Sequence, residues 1–266
     1  MIPTKMASIV SGVVFCAMAV FTPVQAEDSA TAPAVENPQS YFSRMANYLS
    51  AARQFQVSMR LGYDVVQASG QKLEFSERRR ITVVRPDRLR VDIEKSDGEK
   101  AMVLYDGKKI TAYSEAHQVY AEAEIAGTIR DALVYFLRDL NMRMPLAIML
   151  TENFPAEMES RVEELAFVEI SAITATPSVH LAGRTGQIDF QMWIPRTGNP
   201  LLRRLVITYR RERGQPNFWA DFLDWNLSPA ITDQTFAFAP PAGAEQIPFL
   251  ALTSEGSMEE NLKGGD

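Results

Sequence analysis

Cysteine and histidine, on which many enzyme sites depend, are scarce in this 266-residue sequence. It has one cysteine and two histidines. The cysteine, Cys16, lies in an N-terminal segment that we expect to be removed, so the mature chain would have neither a disulfide nor a thiol nucleophile. The histidines, His117 and His180, do not have the spacing of zinc ligands. Glycine-rich phosphate loops, Gly-x-Ser-x-Gly motifs and aspartate-rich calcium loops are also missing. We therefore predict a protein with no catalytic residues, no metal and no cofactor.

The sequence also lacks an excess of positive charge. Its formal net charge is −6, and loss of Lys5, the one charged residue of the N-terminal segment, would change −6 to −7. Because nucleic acid binding depends on basic surfaces, nucleic acid is not expected as a partner. Charged residues recur throughout the mature chain, so no transmembrane segment is expected there.

The first 26 residues have the pattern of a secretory signal peptide. Lys5 provides a positive start, Met6–Phe21 is apolar, and Val24-Gln25-Ala26 supplies small residues before a cleavage site. A retained membrane anchor is the alternative, but the apolar run is shorter than the ~20 residues that a span needs, and Pro23 follows it. We predict cleavage after Ala26 and a periplasmic or secreted protein.

The mature chain divides into three parts by composition. Residues 27–37 are rich in alanine, threonine and proline and are predicted to be a flexible linker, and residues 250–266 to be a disordered tail. Residues 38–249 form a single predicted domain with a helical insertion at about 128–165. A chain of this size can bury roughly 70–75% of its unfolded surface, so an ordinary core suffices for stability.

The stretch Arg85–Glu124 predicts an antiparallel meander of short strands. Its first strand alternates apolar with charged side chains, so one face is expected to be covered and the other exposed to water. Asp106-Gly107 separates two such runs and supplies the positive φ of a tight hairpin turn. The residues of the first strand predicted to point inward are Leu89, Val91 and Ile93.

Segments with the alternation of strands precede and follow a block of segments with helical spacing. The predicted helices are Pro38–Ala52, Ile129–Leu140, Pro145–Leu150 and Phe154–Leu165. Outside the meander, the predicted strands are 55–66, Lys72–Val84, Phe167–Ile173, Val179–Gly183, Gln187–Ile194, Leu201–Arg210 and Phe218–Trp225. The order strands, helices, strands favours an α+β fold with one antiparallel sheet and a helical insertion.

The helical insertion is apolar and rich in methionine, whose side chain adapts to irregular surfaces. Together with the covered face of the meander it predicts either an ordinary core or a hydrophobic pocket, and the pattern is the same for both. The candidates for the pocket wall are Leu89, Val91, Ile93, Phe136, Leu140, Met144 and Met149.

Arg79 has an unusual position in the pattern of the long strand Lys72–Val84. It falls on the same face as the apolar Ile81 and Val83, whereas Arg78 and Arg80 fall on the opposite face. A guanidinium beside apolar side chains needs a partner. Arg79 is therefore a candidate latch or head-group contact.

Three segments of the sequence resemble those of a known family. The segments R-P-D-R-L-R-V, Y-D-G-K-K-I-T-A-Y and F-A-F-A-P-P-A-G-A resemble an uncharacterised family of predicted periplasmic proteins related to the LolA/LolB lipoprotein carriers and to RseB. The resemblance covers most of Tyr41–Ile247. It implies a strongly curved antiparallel sheet, an incomplete β-barrel, whose concave face encloses a hydrophobic cavity and is covered by helices. It implies that Ile129–Leu150 is the lid, and it supplies no catalytic residues.

These observations lead to one leading functional hypothesis and two alternatives. The leading one is a non-catalytic periplasmic carrier with a pocket for a lipid, the acyl chain of a lipoprotein or another hydrophobic small molecule. The first alternative is an RseB-like envelope sensor or interaction module, in which a sheet face or edge contacts another envelope protein. The second is a hydrolase, which would require a polar cleft with converging carboxylates or His180.

Overall fold

The computed structural model describes residues 37–139, 144–173 and 176–249. The predicted signal peptide and its cleavage site, residues 27–36 of the linker, the predicted tail and the pocket candidate Leu140 all lie outside the described residues, and they stay predictions.

A helix opens the domain, as its sequence predicts. Helix α1 spans Pro38–Ala51, where proline is tolerated at the first position, and the Asn37 side chain accepts a hydrogen bond from the Gln39 amide at 3.0 Å. Its buried stripe recurs every three to four residues and consists of Tyr41, Phe42, Met45, Ala46 and Leu49.

Four further helical pieces lie between the two groups of strands. They are α2 at Ile129–Val134, a π-helical segment at Tyr135–Asp139, a 3₁₀ turn at Ala147–Leu150 and α3 at Phe154–Arg161. With α1 they pack on one face of the sheet. We call these five pieces the helical cover, the face they pack on the inner face, and the opposite face the outer face.

The described strands form one open, curved sheet. Its strands are β1 Gln54–Val66, β2 Lys72–Val84, β3 Arg88–Lys95, β4 Lys100–Tyr105, β5 Lys109–Ser114, β6 Val119–Glu124, β7 Glu164–Ser171, β8 Ser178–Arg184, β9 Ile188–Pro195, β10 Arg204–Tyr209, β11 Asn217–Asn226 and β12 Glu245–Gln246. Their spatial order is β12-β6-β5-β4-β3-β2-β1-β11-β10-β9-β8-β7. Every described pair is antiparallel except β12 with β6. The predicted α+β class with an antiparallel sheet is confirmed.

Strand register places apolar side chains in rows across the inner face. Val57 of β1 lies opposite Ile81 of β2, which lies opposite Val91 of β3. On its other side Val57 lies opposite Trp225 of β11. The predicted Asp106-Gly107 hairpin is present, with Gly107 at φ 89°. The core therefore lies between these rows and the helical cover.

Two predicted helices end earlier than the sequence pattern indicates. Regular α-helix after Ile129 stops at Val134, and the chain continues as π-helix. Helix α3 stops at Arg161, and Leu165 lies in strand β7, opposite Gly183 of β8. The prediction of helix up to Leu165 was wrong because pairing with β8, a tertiary interaction, outweighs a local helical pattern.

The sequence led us to expect that the outer face of the meander is exposed to water. In the structure, part of this face is covered. The chain after β11 crosses this face, and Phe236 buries Met102 and Leu104 against it. Arg90 donates a hydrogen bond to the Thr235 carbonyl at 3.2 Å, which fixes the crossing. We call residues 227–249 the strap. The expectation failed because the covering segment is distant in sequence from the strands it covers.

Candidate functional site

The described pocket candidates all belong to the hydrophobic core between the inner face and the helical cover. Leu89 and Val91 are buried in the sheet, and Phe136 and Met149 are buried in the cover. Ile93 and Met144 are partly buried and pack against the same core. The structure therefore brings these six residues into one core, but their role in ligand binding stays a prediction.

A small space lies between the cover and the sheet in the part of the chain that the structure describes. One small cavity of about 10 Å³ lies there, which is about the space that a single water molecule needs. It is lined by Leu49, Phe55, Val57, Met59, Ile81, Leu146, Met149, Leu150, Phe222 and Trp225. Of the six pocket candidates that the structure describes, Met149 alone is among these lining residues. Among the described residues, side chains from the inner face and the helical cover surround this cavity.

The sequence contained a signal for some of the missed lining residues and none for others. Phe55, Val57 and Met59 alternate in the first predicted strand, and could have been chosen for the same reason as Leu89 and Val91. Phe222 and Trp225 reach the same face because the register between β1 and β11 shifts at Ser58 and Met59. Such a bulge depends on the pairing of distant strands, and the pattern of one strand does not show it.

The buried Arg85 joins the sheet to two pieces of the helical cover. It follows β2 directly and is 5% exposed. Its Nη1 donates to the carbonyl oxygens of Leu49, at 3.2 Å, and Ala52. Its Nη2 donates to the Met149 carbonyl at 3.4 Å. Arg85 thereby holds the C-terminal end of α1 and the 3₁₀ turn at once.

A nearby charge and burial shift the pKa of Arg85 in opposite directions. Burial lowers the pKa of its guanidinium, and the nearby carboxylate of Glu152 raises it. The guanidinium lies at a helix C-terminus, where a cation is favourable, and above the Phe55 ring at 5.3 Å. Its Nε is buried without a hydrogen-bond partner in the described part of the chain. An incompletely satisfied buried cation is costly, and its bonds to the cover partly offset that cost.

Arg79, the latch candidate of the sequence, lies on the inner face but away from the cover carbonyls. It lies opposite Met59 of β1 and Ile93 of β3. Its Nε donates to Glu77 Oε2 at 2.8 Å, and Nη2 lies 2.7 Å from the same oxygen. The partner that its position requires is therefore Glu77. The role of Arg79 as a latch or head-group contact stays a prediction, and Arg85 has the geometry of a latch.

The two histidines lie in different surroundings. His117 is exposed in the turn between β5 and β6. His180 stacks on Trp193 with ring centroids 4.1 Å apart, and its Nε2 lies 3.0 Å from Gln191 Oε1. Among the described residues there is no group of three His, Cys, Asp or Glu side chains that could hold a metal ion. No described helix is both long enough and apolar enough to cross a membrane.

Residues 39–250 match the model of a family described as "Predicted periplasmic protein (DUF2092)". The chain belongs to this family. The family resemblance read from the sequence is thereby confirmed, and so is the predicted periplasmic location. No curated protein matches the chain in sequence.

Several solved structures are similar to this chain at low sequence identity. Lipoprotein LppX from Mycobacterium tuberculosis is 13% identical, with 74% of this chain and 98% of that chain covered and a TM-score of 0.46. A LolA superfamily protein from Nitrosomonas europaea is 10% identical, with 76% and 97% covered and a TM-score of 0.38. MucB in the MucA/MucB complex of Pseudomonas aeruginosa is 17% identical with a TM-score of 0.40, and the match covers 76% of this chain and 61% of that chain.

Proposed function

We propose that this protein is a non-catalytic periplasmic carrier or binding protein, whose ligand is a lipid, the acyl chain of a lipoprotein or another hydrophobic small molecule. The ligand enters between the inner face and the helical cover. The observation that carries the proposal is Arg85, a buried cation that ties two pieces of the cover to the sheet by hydrogen bonds to three main-chain carbonyls. Bonds of this kind can be broken and remade without disrupting the sheet.

Ligand entry requires the cover to move. Pockets for drug-sized ligands have roughly 300–1,000 Å³, whereas the cavity here has about 10 Å³. The described conformation is therefore the closed state of the proposed carrier. Binding of a ligand would shift the population towards an open state, at a cost equal to the free energy of opening.

The construction of the cover supports such a movement. Apart from α1, its pieces are four to eight residues long, and helices of that length have little stability of their own. The methionines Met144, Met149 and Met158 pack in or against the core, and their flexible side chains can repack around an acyl chain. The cover depends on tertiary contacts, which a hydrophobic ligand could replace.

The positions of the three tryptophans allow a direct test. Trp225 lines the cavity on the inner face. Trp193 and Trp219 lie on the outer face, where Arg204 stacks on both rings. A brominated fatty acid that enters beneath the cover should quench Trp225 in the double variant Trp193→Phe/Trp219→Phe. The Trp225→Phe variant, which keeps the outer tryptophans, is the matched control and should not be quenched.

Two further outcomes would decide against the proposal. Equal quenching in both variants would place the fatty acid on the surface. The absence of saturable binding, together with native mass spectrometry that finds the purified protein empty after extraction, would mean that the inner face is ordinary core. Loss of the helical circular dichroism signal must be excluded in each variant before its quenching is compared.

A further inference from the structure

The two ends of the sheet differ in how their edges are protected. At one end, the strap adds β12 beside β6, with the Glu245 amide donating to the Gln118 carbonyl and the Ile247 amide to the Tyr120 carbonyl, both at 2.9 Å. At the other end, β7 has one strand neighbour, β8. Among the described residues, no main-chain hydrogen bond reaches the far edge of Glu164–Ser171. An unpaired edge is a ready template for another strand.

Three exposed β-branched side chains lie in β7 or directly after it. Val168 is 49% exposed, Ile170 38% and Ile173 96%. The register with β8 shifts between Phe167 and Glu169, so Val168 is the additional residue of a bulge. Single exposed apolar residues are ordinary on a protein surface, but Val168 and Ile170 lie on the edge strand itself and Ile173 lies two residues beyond its end. Their arrangement favours contact with a partner.

The side chains of β7 alternate in chemistry between the two faces. Leu165, Phe167 and Ile170 lie opposite residues of β8 that belong to the inner face. Glu164, Ala166 and Glu169 lie on the other face, where Glu169 is opposite His180. A strand added to this edge would meet apolar groups on one face and carboxylates on the other.

The carboxylates determine which partner fits. Glu164 and Glu169 have side chains that are 71% and 60% exposed, with Arg184 3.9 Å from the first carboxylate and the His180 ring 3.7 Å from the second. Such exposed pairs are weak, so much of the negative charge is available to a partner. Glu163, directly before β7, adds a further carboxylate. A second copy of this acidic chain would be repelled, whereas a basic strand would be attracted.

We propose that the free edge of β7 is a docking site for an extended segment of a partner polypeptide in which basic and apolar residues alternate. The segment adds to the sheet beside β7 through main-chain hydrogen bonds. Its apolar side chains lie beside Phe167 and Ile170, and its lysines or arginines lie beside Glu164 and Glu169. None of the residues that line the small cavity belongs to β7, so the proposal does not depend on the carrier function.

A short peptide of alternating lysine and valine, acetylated, amidated and labelled with fluorescein, tests the proposal. The purified protein, without its predicted signal peptide, should bind it saturably with one peptide per chain in fluorescence anisotropy. The variant Glu164→Lys/Glu169→Lys should bind at least tenfold more weakly. The matched control Glu94→Lys/Glu124→Lys changes the net charge equally on β3 and β6, and should keep its affinity within about threefold.

Alternate N-methylation of the peptide separates strand addition from simple charge attraction. Amides of successive residues point to opposite edges of a strand, so methylation of the lysine amides and of the valine amides blocks opposite edges. One of the two methylated peptides should lose binding at least tenfold and the other should not. Equal binding of both would overturn the proposal, as would equal weakening by the two charge-reversal variants.

A second copy of the chain is the remaining alternative occupant. Analytical ultracentrifugation of the protein should show a monomer over the concentrations used for binding. A concentration-dependent dimer that the substitution Val168→Lys abolishes would overturn the proposal in favour of pairing between copies. Binding of brominated fatty acid should be unchanged in Glu164→Lys/Glu169→Lys, which separates failure of this proposal from failure of the carrier function.

Discussion

The Arg85 guanidinium and the Leu49 carbonyl oxygen are 3.2 Å apart, and this hydrogen bond crosses from the end of β2 to the last turn of α1. Leu49 also lines the small cavity, next to Phe55 and Trp225. The contact that closes the cover therefore lies at the wall of the space that the cover encloses. Any change in this contact should affect stability and ligand access together.

Substitution of Arg85 by methionine should change both stability and ligand access. Methionine keeps the apolar stem but leaves the Ala52 and Met149 carbonyls without the guanidinium, so we expect the free energy of unfolding to fall by about 2–3 kcal/mol. The substitution should reduce the stability of the closed state more than that of the open state. Each 1.4 kcal/mol of that difference corresponds to about tenfold tighter fatty-acid binding.

The control for this prediction is Arg80→Met, which removes an exposed arginine from the outer face of β2. Urea unfolding and fluorescent fatty-acid titration of both variants provide the measurements. A loss of stability in Arg85→Met with unchanged fatty-acid affinity would mean that Arg85 stabilises the fold without acting as a latch.

Phe249 should anchor the cover from the end of the strap. Its ring packs on Tyr135 and Phe136 of the π-helical segment with centroids 5.8 and 5.9 Å apart. Phe249→Ala should therefore cost about 2–4 kcal/mol and accelerate amide hydrogen exchange in Ile129–Val134.

Phe238→Ala is the matched control for Phe249→Ala. Phe238 packs on Tyr113 and Tyr120 on the outer face, with centroids 5.6 and 5.5 Å apart. Its loss should destabilise the strap by about 1–2 kcal/mol without local acceleration of exchange in α2. The same exchange pattern in both variants would contradict a specific link between Phe249 and the cover.

Asp131 should give the start of α2 a dependence on acid pH. The Thr128 amide and hydroxyl donate to Asp131 Oδ2 at 2.8 and 2.7 Å, and these bonds lower the pKa of the Asp131 carboxyl below its ordinary value. Because its pKa is lower in the folded state, this carboxyl stabilises the fold at pH values above its pKa in the unfolded chain, about 3.9. The stabilisation is lost as the pH falls through the pKa of the folded state.

The substitution Asp131→Asn tests this dependence. It should reduce the free energy of unfolding at pH 7 by about 0.5–1 kcal/mol, and the difference from the unsubstituted protein should shrink as pH falls through the lowered native pKa of Asp131. Denaturant unfolding at several pH values measures both. Asp224→Asn, at an exposed residue of β11, should show no comparable trend.

Gly183 should not tolerate a side chain. An added Cβ would lie 2.2 Å from Cζ of Phe190, the residue opposite it on β9, and Phe190 is buried. Gly183→Ala should therefore cost about 1–3 kcal/mol through overpacking. In the double variant with Phe190→Leu the clash is removed, so thermal unfolding should show a smaller loss than the sum of the single losses. Additive losses would mean that the clash is relieved elsewhere.

Much of the sheet could be predicted because its signals are local. Alternation identified β2 with the observed bounds Lys72–Val84, and it assigned Leu89 and Val91 to the inner face. Asp106-Gly107 predicted the hairpin because its turn requires a residue that accepts positive φ. The candidate site was predicted less well: its apolar character was evident, but Arg85 was read as part of a family motif and not as a buried cation.

The order of strands and helices, the alternation within each strand and the turn residues are properties of neighbouring residues, so the sequence by itself determined the α+β class and the buried face of the meander. Other features depend on contacts between segments far apart in the chain. These include the bonds from Arg85 to Leu49, the burial of Met102 by the strap and the free edge of β7. Only the tertiary structure decided which side chains line the small cavity, because the lining depends on how side chains from β1, β2, β11 and the cover meet in space.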